Sequence, residues 1–313
     1  MRLLLCGLGL GVALSACAQR AWVPPADAPA TAAPAARAEE KHPAPVPHDV
    51  VHDAAAAFVG LRVDGGELLA PEDLLDELSH ADLICVGEQH GNARTHYAQW
   101  VVLTALAERS AMSGRSVGLG LEMLPRSEQH HLDQYASFDL DEHEFLEDAR
   151  WSEGWGFDFS YYRPQLEFAR HKGISMVALN ARRSLTRAVA RGGIDGLSDA
   201  DHKELPALDL HDAEHRAWFD HSMKDHPHGK PEHLYAAQVV WDETMAETAS
   251  RWLAGRIPGR QLVVLAGTGH CRADAIPNRV RRRSSAQVIS VRAGSMGEAA
   301  AKHGEWDFVM VFE

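Results

Sequence analysis

Asp82-Leu-Ile-Cys-Val-Gly87 and Gln261-Leu-Val-Val-Leu-Ala-Gly267 are short, nearly unbroken apolar runs, and each gives way at once to polar residues: Glu88-Gln89-His90 after the first, Thr268-Gly269-His270 after the second. A strand with one covered face alternates apolar and polar residues, so a continuous run of this length reads as a strand buried on both faces. Four further runs share the pattern: Ser116 to Glu122, Ile174 to Asn180, Gln287 to Val291 and Trp306 to Phe312. Between the first four in chain order lie connections of about 28, 50 and 80 residues. Such lengths demand helical crossovers and so imply parallel pairing. The expected fold class is α/β, an open, mostly parallel sheet flanked by helices, with a cap of two or three helices supplied by the longest crossover. Asp64-Gly65-Gly66 predicts a small hairpin ahead of the sheet, because two glycines supply the positive φ of a tight turn.

The N-terminus reads as an address rather than as structure. Met1-Arg2 carries one positive charge, Leu3 to Leu14 is almost wholly apolar, and Leu14-Ser15-Ala16-Cys17 follows. The run is too short for a mature membrane span, which needs roughly 20 apolar residues. Leu-Ser-Ala-Cys resembles a bacterial lipobox, which implies cleavage before Cys17 and lipidation of that residue with acyl chains such as palmitate. Residues 1–16 are then a lipoprotein signal peptide. Residues 17–50 are the lipidated Cys17 and a tether holding seven of the 15 prolines, and residues 51–313 are the folded body. The expected location is the bacterial cell envelope, lipid-anchored; Ala18 after the cysteine points by the same resemblance to the outer membrane.

A formal charge of −13 argues against nucleic acid as a partner, because phosphate-backbone affinity comes from clustered Lys and Arg. The 19 histidines raise the expectation of metal, haem or proton chemistry. Seven of them, His202, His211, His215, His221, His226, His228 and His233, fall in the longest crossover. Cys85 and Cys271 remain in the folded body, expected as buried free thiols unless their strands are neighbours.

Ligands of an open parallel sheet bind beyond the carboxyl ends of its strands. Glu88 and His90 follow the first run, Glu122 closes the second with Arg126 a turn later, Asn180 closes the third, and His270 follows the fourth. Two carboxylates and two imidazoles converging there could bind a divalent metal or exchange protons. Gly-x-x-His occurs twice at strand ends, where about 1.5 matches are expected by chance in the whole chain, so placement carries more weight than the string. Three other strings are weaker. Gly114-Arg-Ser-Val-Gly118 has the helix before Ser116 and the strand after it, the reverse of a nucleophile elbow. His211-Asp-Ala-Glu-His215 would place two imidazoles on one helix face. Arg279 to Arg283 reads as a solvated basic helix face, or as a contact for anionic lipid or haem propionates.

Six blocks in order extend the picture: Val86-Gly-Glu-Gln-His90; Gly120-Leu-Glu-Met123 with Arg126 and Gln129; Trp155 with Tyr162-x-Pro164; Val177-Ala-Leu-Asn180; Gln238 followed by Trp241-Asp-Glu-Thr-Met-Ala246; and Leu265-Ala-Gly-Thr-Gly-His270. Together they resemble the ChaN-like haem-binding uptake lipoproteins of the Tiki superfamily, over roughly residues 58 to 285. The resemblance implies a haem-binding domain, haem held through tyrosine in a homodimer assisted by histidine, and a haem receptor or transporter as partner. Of the five tyrosines, Tyr97 and Tyr162 rank first as ligands, each with a packed core aromatic as its alternative. Arg126 and Asn180 are the further cofactor-binding candidates. The resemblance also implies kinship with erythromycin-esterase-like hydrolases and metal-dependent peptidases, in which Glu88, His90, Glu122 and His270 would be catalytic or metal-binding.

Overall fold

The computed structural model describes residues 57–224, 229–255, 257–295 and 304–312. The signal peptide, Cys17 and the tether lie outside the described residues, as do His226 and His228. The body opens with strands β1 (Phe58–Arg62) and β2 (Glu67–Leu69), then helix α1 (Pro71–His80) and strand β3 (Leu83–Glu88). Next come α2 (Ala93–Ser113), β4 (Ser116–Pro125), α3 (Gln129–Ala136), α4 (Glu142–Asp148), α5 (Trp151–Gly154), α6 (Arg163–Lys172) and β5 (Ser175–Asn180). The long crossover holds α7 (Arg183–Gly192), α8 (Asp199–His202), α9 (Ala213–Met223) and α10 (Pro231–Leu253), one or two more helices than its sequence suggested. The chain closes with β6 (Arg260–Gly267), α11 (Thr268–Cys271), α12 (Ile276–Arg283), β7 (Val288–Ser295) and β8 (Phe308–Phe312).

All eight strands form one sheet in the order β2-β1-β8-β7-β3-β6-β4-β5. β3 pairs in parallel with β6 and β7, β4 with β5 and β6, and β7 with β8, while β1 is antiparallel to β2 and β8. The mostly parallel sheet expected from the long crossovers is therefore present. The hairpin is too, with Gly65 at φ 88° and Gly66 at φ 68°.

Alternate residues of the central strands feed two separate cores, which is why their runs are continuously apolar. Ile84, Val86, Leu119, Leu121, Val263 and Leu265 pack on the α2 side, with Val102, Leu103 and Leu106. Leu83, Cys85, Leu262, Val264 and Ala266 pack on the α10 side, with Met245, Ala246 and Ala249. Each face is dry, so alternation with polar residues has no place.

The edge strand β5 is closed by one side chain. Gln129, at the start of α3, donates Nε2 to the Met176 carbonyl (2.9 Å) and accepts from Ala178 N through Oε1 (2.8 Å). A single amide thus supplies the donor and acceptor that a ninth strand would offer.

Cys85 and Cys271 are joined in a disulfide, contrary to the expectation of free thiols. The geometric reason is strand order: β3 and β6 are neighbours, Cys85 lies on the α10 face of β3, and α11 turns Cys271 back over that face directly after β6.

Candidate functional site

Strand direction places Glu88 and Glu122 at the same end of the sheet but on opposite faces. Glu88 continues the Ile84 and Val86 side of β3, and there α2 and the segment before α6 close over it. The carboxylate is buried (2% exposed). It accepts from Tyr162 Oη (2.7 Å) and Gln99 Nε2 (2.7 Å), meets His90 Nδ1 at 2.8 Å, and lies 3.5 Å from His96 Nδ1. Burial pushes its pKa up, but the charge of His96 and the bonded His90 outweigh this and hold the carboxyl below its ordinary value.

On the other face Glu122 accepts from Gly267 N (2.5 Å) and meets His270 Nε2 at 3.2 Å. His270 Nδ1 lies 2.5 Å from Asp242 Oδ1, and the other oxygen of Asp242 lies 3.0 Å from His215 Nε2. Asp242 and His215 are both fully buried. Two parallel constructions result, His90–Glu88–His96 and His270–Asp242–His215, each a cleft-facing imidazole backed by a buried carboxylate and a buried second imidazole. Each cleft imidazole also meets a tryptophan edge-on: His90 with Trp155 at 4.7 Å, His270 with Trp241 at 6.2 Å between ring centroids.

The cleft between them has a volume of about 310 Å³ and is lined by His90, Glu122, Met123, Trp155, Trp241 and His270, with Asn180 and Arg183 at the third strand end. The strand-end reading therefore brings Glu88, His90, Glu122, Asn180 and His270 together. Asn180 spends its amide on the Glu122 carbonyl (2.8 Å) and on Ala181 N (2.8 Å). Arg126 turns away to Glu247 (3.0 Å) and the Glu204 carbonyl (2.5 Å). Tyr162 is fully buried behind Glu88, and Tyr97 packs on Phe312 at 5.9 Å; neither lines the cleft. Among the described residues no three His, Cys, Asp or Glu side chains form a group that could hold a metal ion. The carboxylates are turned to imidazoles and backbone N–H groups instead of toward a common point, so the divalent-metal alternative gains no support.

The described part of the histidine-rich crossover separates its histidines. His211 precedes α9, whose N-cap is Asp212, so His211 and His215 do not share a helix face. His202, His211 and His221 are exposed, whereas His215 is buried against Asp242. The basic run is divided, with Arg281 and Arg282 exposed as a solvated face requires and Arg279 turned inward. Arg279, fully buried, and Arg282 and Arg283 surround the buried Glu243 at 3.5, 2.8 and 2.5 Å. Arg279 also reaches His215 Nδ1 (3.2 Å), tying α12 to the His270 side of the cleft.

Sequence reasoning passed over Asp242, His96 and Gln99 as site residues, and had His215 only as one end of the His211–His215 string. The only signal for Asp242 was its place in the block after Gln238, whose amide lies 3.2 Å from His270 Nδ1.

A family model described as haem-binding uptake, Tiki superfamily, ChaN, matches residues 74–280, which span the whole cleft. The chain belongs to that family. Among solved structures this ChaN-family chain is similar to ChaN of Campylobacter jejuni with cofacially bound haem, at 19% identity and a TM-score of 0.66, covering 82% of this chain and 97% of that one. A mutant of the erythromycin esterase EreC in its open conformation aligns at 11% identity and a TM-score of 0.45, over 81% of this chain and 82% of that one. The chloroplastic protein RETICULATA-RELATED 5 of Arabidopsis thaliana is 26% identical over 231 residues, 66% of this chain, and the chain spans 30% of that protein's length. The expected α/β class is the ChaN fold.

Burial and the bonded carboxylates act on the cleft histidines in opposite directions. Desolvation lowers the His270 pKa, but the Glu122 and Asp242 carboxylates outweigh it and hold the group well above its ordinary 6.5. Burial raises Asp242, and the charge of His270 and the bond from His215 outweigh that, leaving the carboxyl well below its ordinary 3.8. The linkage signs follow. A raised imidazole stabilises fully below 6.5 and loses its contribution as pH rises through its folded value; a lowered carboxyl stabilises above 3.8 and loses its contribution as pH falls through its folded value. The pair therefore contributes most at about pH 4–6. The melting temperature is expected to fall between pH 6 and pH 9, and to fall less in Asp242→Asn. A wild-type melting temperature that is flat or rising over that range would contradict the assignment.

Proposed function

We propose that this chain binds haem in the cleft beyond β3, β4 and β6, as a lipid-anchored protein of the bacterial cell envelope that takes part in haem and iron uptake. The observation that carries the reading is the ChaN-family match across residues 74–280. The chemistry of the lining is compatible with it. Haem is an apolar plate with two carboxylates on one edge; Trp155, Trp241, Met123 and Pro125 offer apolar surface, and Arg183 is the cation at the third strand end. A cleft of about 310 Å³ is at the small end of ligand sites. Bound haem would supply a ferric centre, and this chain would supply the pocket and a donor atom. The Cys85–Cys271 disulfide supports export, because structural disulfides persist in oxidising compartments. The anchor at Cys17, the outer membrane and a haem receptor or transporter as partner belong to the same reading.

Titrating the purified full chain with haemin and recording absorption spectra tests it. Saturable binding at one haem per chain is expected; weak, unsaturable binding would sink the proposal. One observation favours a second reading, hydrolysis: two carboxylate-backed imidazoles face a single cleft, the arrangement of a general acid and base, with Glu88 or His90 as base. In that case hydrolysis of a test ester or peptide, and not haemin binding, would be lost in His270→Ala.

A further inference from the structure

We propose that the Cys85–Cys271 disulfide positions the candidate site: it pins the turn that carries His270 to the strand that leads into Glu88 and His90, so that the cleft is assembled only in the oxidised chain. The inference goes beyond the haem reading and does not depend on which ligand the cleft takes.

Cys85 lies three residues before Glu88 on β3, and Cys271 directly follows His270. In the parallel register Cys85 stands opposite Val264 of β6 and Glu88 opposite Gly267, so the chain doubles back after Gly267 for the two sulfurs to meet. His270 sits inside that reversal. The helix that makes it, α11, has four residues and no side-chain cap at its N-terminus. A single turn closes too few hydrogen bonds to offset the cost of nucleating a helix, so α11 keeps its shape through its attachments. Two of them tie it to the same strand, one on each side of His270. Ahead of it, Thr268 donates Oγ1 to the Glu88 carbonyl (2.8 Å); behind it stands the disulfide. Gly87 lets the turn lie this close, since a Cβ there would stand 3.2 Å from Thr268 Cα. On the outer side Trp218 of α9 covers Gly269, where a Cβ would meet the ring at 2.8 Å.

His270 reaches Asp242 on α10 through Nδ1 (2.5 Å) and Glu122 on β4 through Nε2 (3.2 Å). Hydrogen bonds weaken steeply outside a narrow range of distance and angle, so a ring that serves two other elements at once needs its backbone fixed. Without the covalent tie the turn is left with a hydroxyl contact on one side and a small buried thiol on the other, and His270 can swing off both carboxylates. The His90–Glu88–His96 construction, on the opposite face, takes no side chain from the turn. In the pairing step the two thiols give two electrons and two protons to a disulfide of the surroundings, which is reduced to a dithiol, and the sulfur–sulfur bond forms. Both cysteines are fully buried, so pairing belongs to folding in an oxidising compartment.

The test is carbethoxylation of the full chain by diethyl pyrocarbonate, which modifies accessible imidazoles, read residue by residue from peptide masses below the melting temperature. The wild type should yield a Cys85–Cys271 linked peptide and react slowly at His270, whose side chain is 14% exposed with both nitrogens engaged. In a double Cys85→Ala, Cys271→Ala variant the rate at His270 should rise about tenfold or more, the mark of local opening. His96, fully buried on the other face, reports the fold as a whole and should stay unreactive in both. Thr268→Val, which keeps the disulfide and loses the hydroxyl tie, should leave His270 slow. Equal rates at His270 in the wild type and the double variant would overturn the proposal. A rise at His96 as large as that at His270 would also overturn it, because the bond would then hold the body and not the turn. Release of His270 by Thr268→Val alone, or a wild type without the linked peptide, would do the same.

Discussion

Asp242→Ala is expected to lower the stability of the folded body by about 3–5 kcal/mol, the range for removing one partner of a buried ion pair. The carboxylate is fully buried and serves two imidazoles at once, His270 at 2.5 Å and His215 at 3.0 Å. Alanine would leave His270 with Glu122 as its remaining anionic neighbour, and would leave His215 facing a void with Arg279 still against its other nitrogen. Asp242→Asn preserves the shape and one acceptor oxygen, so it should cost clearly less. Equilibrium unfolding in urea measures both. A loss below about 1 kcal/mol for the alanine variant would mean that the chain from His270 to Arg279 is a geometric coincidence.

Breaking the Cys85–Cys271 disulfide is the second large effect. The bond closes a loop of 186 residues, and in the chain-entropy model a loop longer than 100 residues corresponds to about 5 kcal/mol. That figure is a ceiling, since a reduced chain retains some residual structure. A double Cys85→Ala, Cys271→Ala variant should melt on the order of 10 °C lower than the oxidised wild type, given about 2–4 °C per kcal/mol for a body of this size. Both sulfurs are fully buried, so reductant added to the folded protein should act slowly, and only through opening of the structure. Equal melting of the oxidised wild type and the double variant would remove the bond from the account of stability.

The central sheet was legible because its physics is one-dimensional. Ile84 and Cys85 face opposite cores, and both must be apolar, so the run itself announces burial on both sides. The length of each crossover then gave parallel pairing, and the strand ends gave Glu88, His90, Glu122, Asn180 and His270. Residues that act from helices were not legible. His215 sits in a crossover where His202, His211 and His221 are solvated, and nothing in composition or spacing separates it from these exposed neighbours. Asp242 and Glu243 adjoin on α10, yet one holds His270 and the other holds three arginines; that partition is set by where α9 and α12 dock. The arginine run was legible in part for the same reason: Arg281 and Arg282 are exposed, as a basic face predicts, while Arg279 is buried against Glu243, and the sequence does not mark which is which. Cys85 and Cys271 required the strand order, which no local pattern encodes.

The side chain of Gln129 has a consequence for how copies of this chain can meet. Because it occupies the Met176 carbonyl and the Ala178 N–H, the outer edge of β5 has no free rung at its centre for another strand to grip. At the far edge β2 is only three residues long, too short to template a stable extension. Assembly by merging sheets, and the runaway polymerisation to which open parallel sheets are exposed, are thereby blocked at both borders. Among the described residues, the surfaces that remain for contact between copies are helices and the exposed Phe157 beside Trp155.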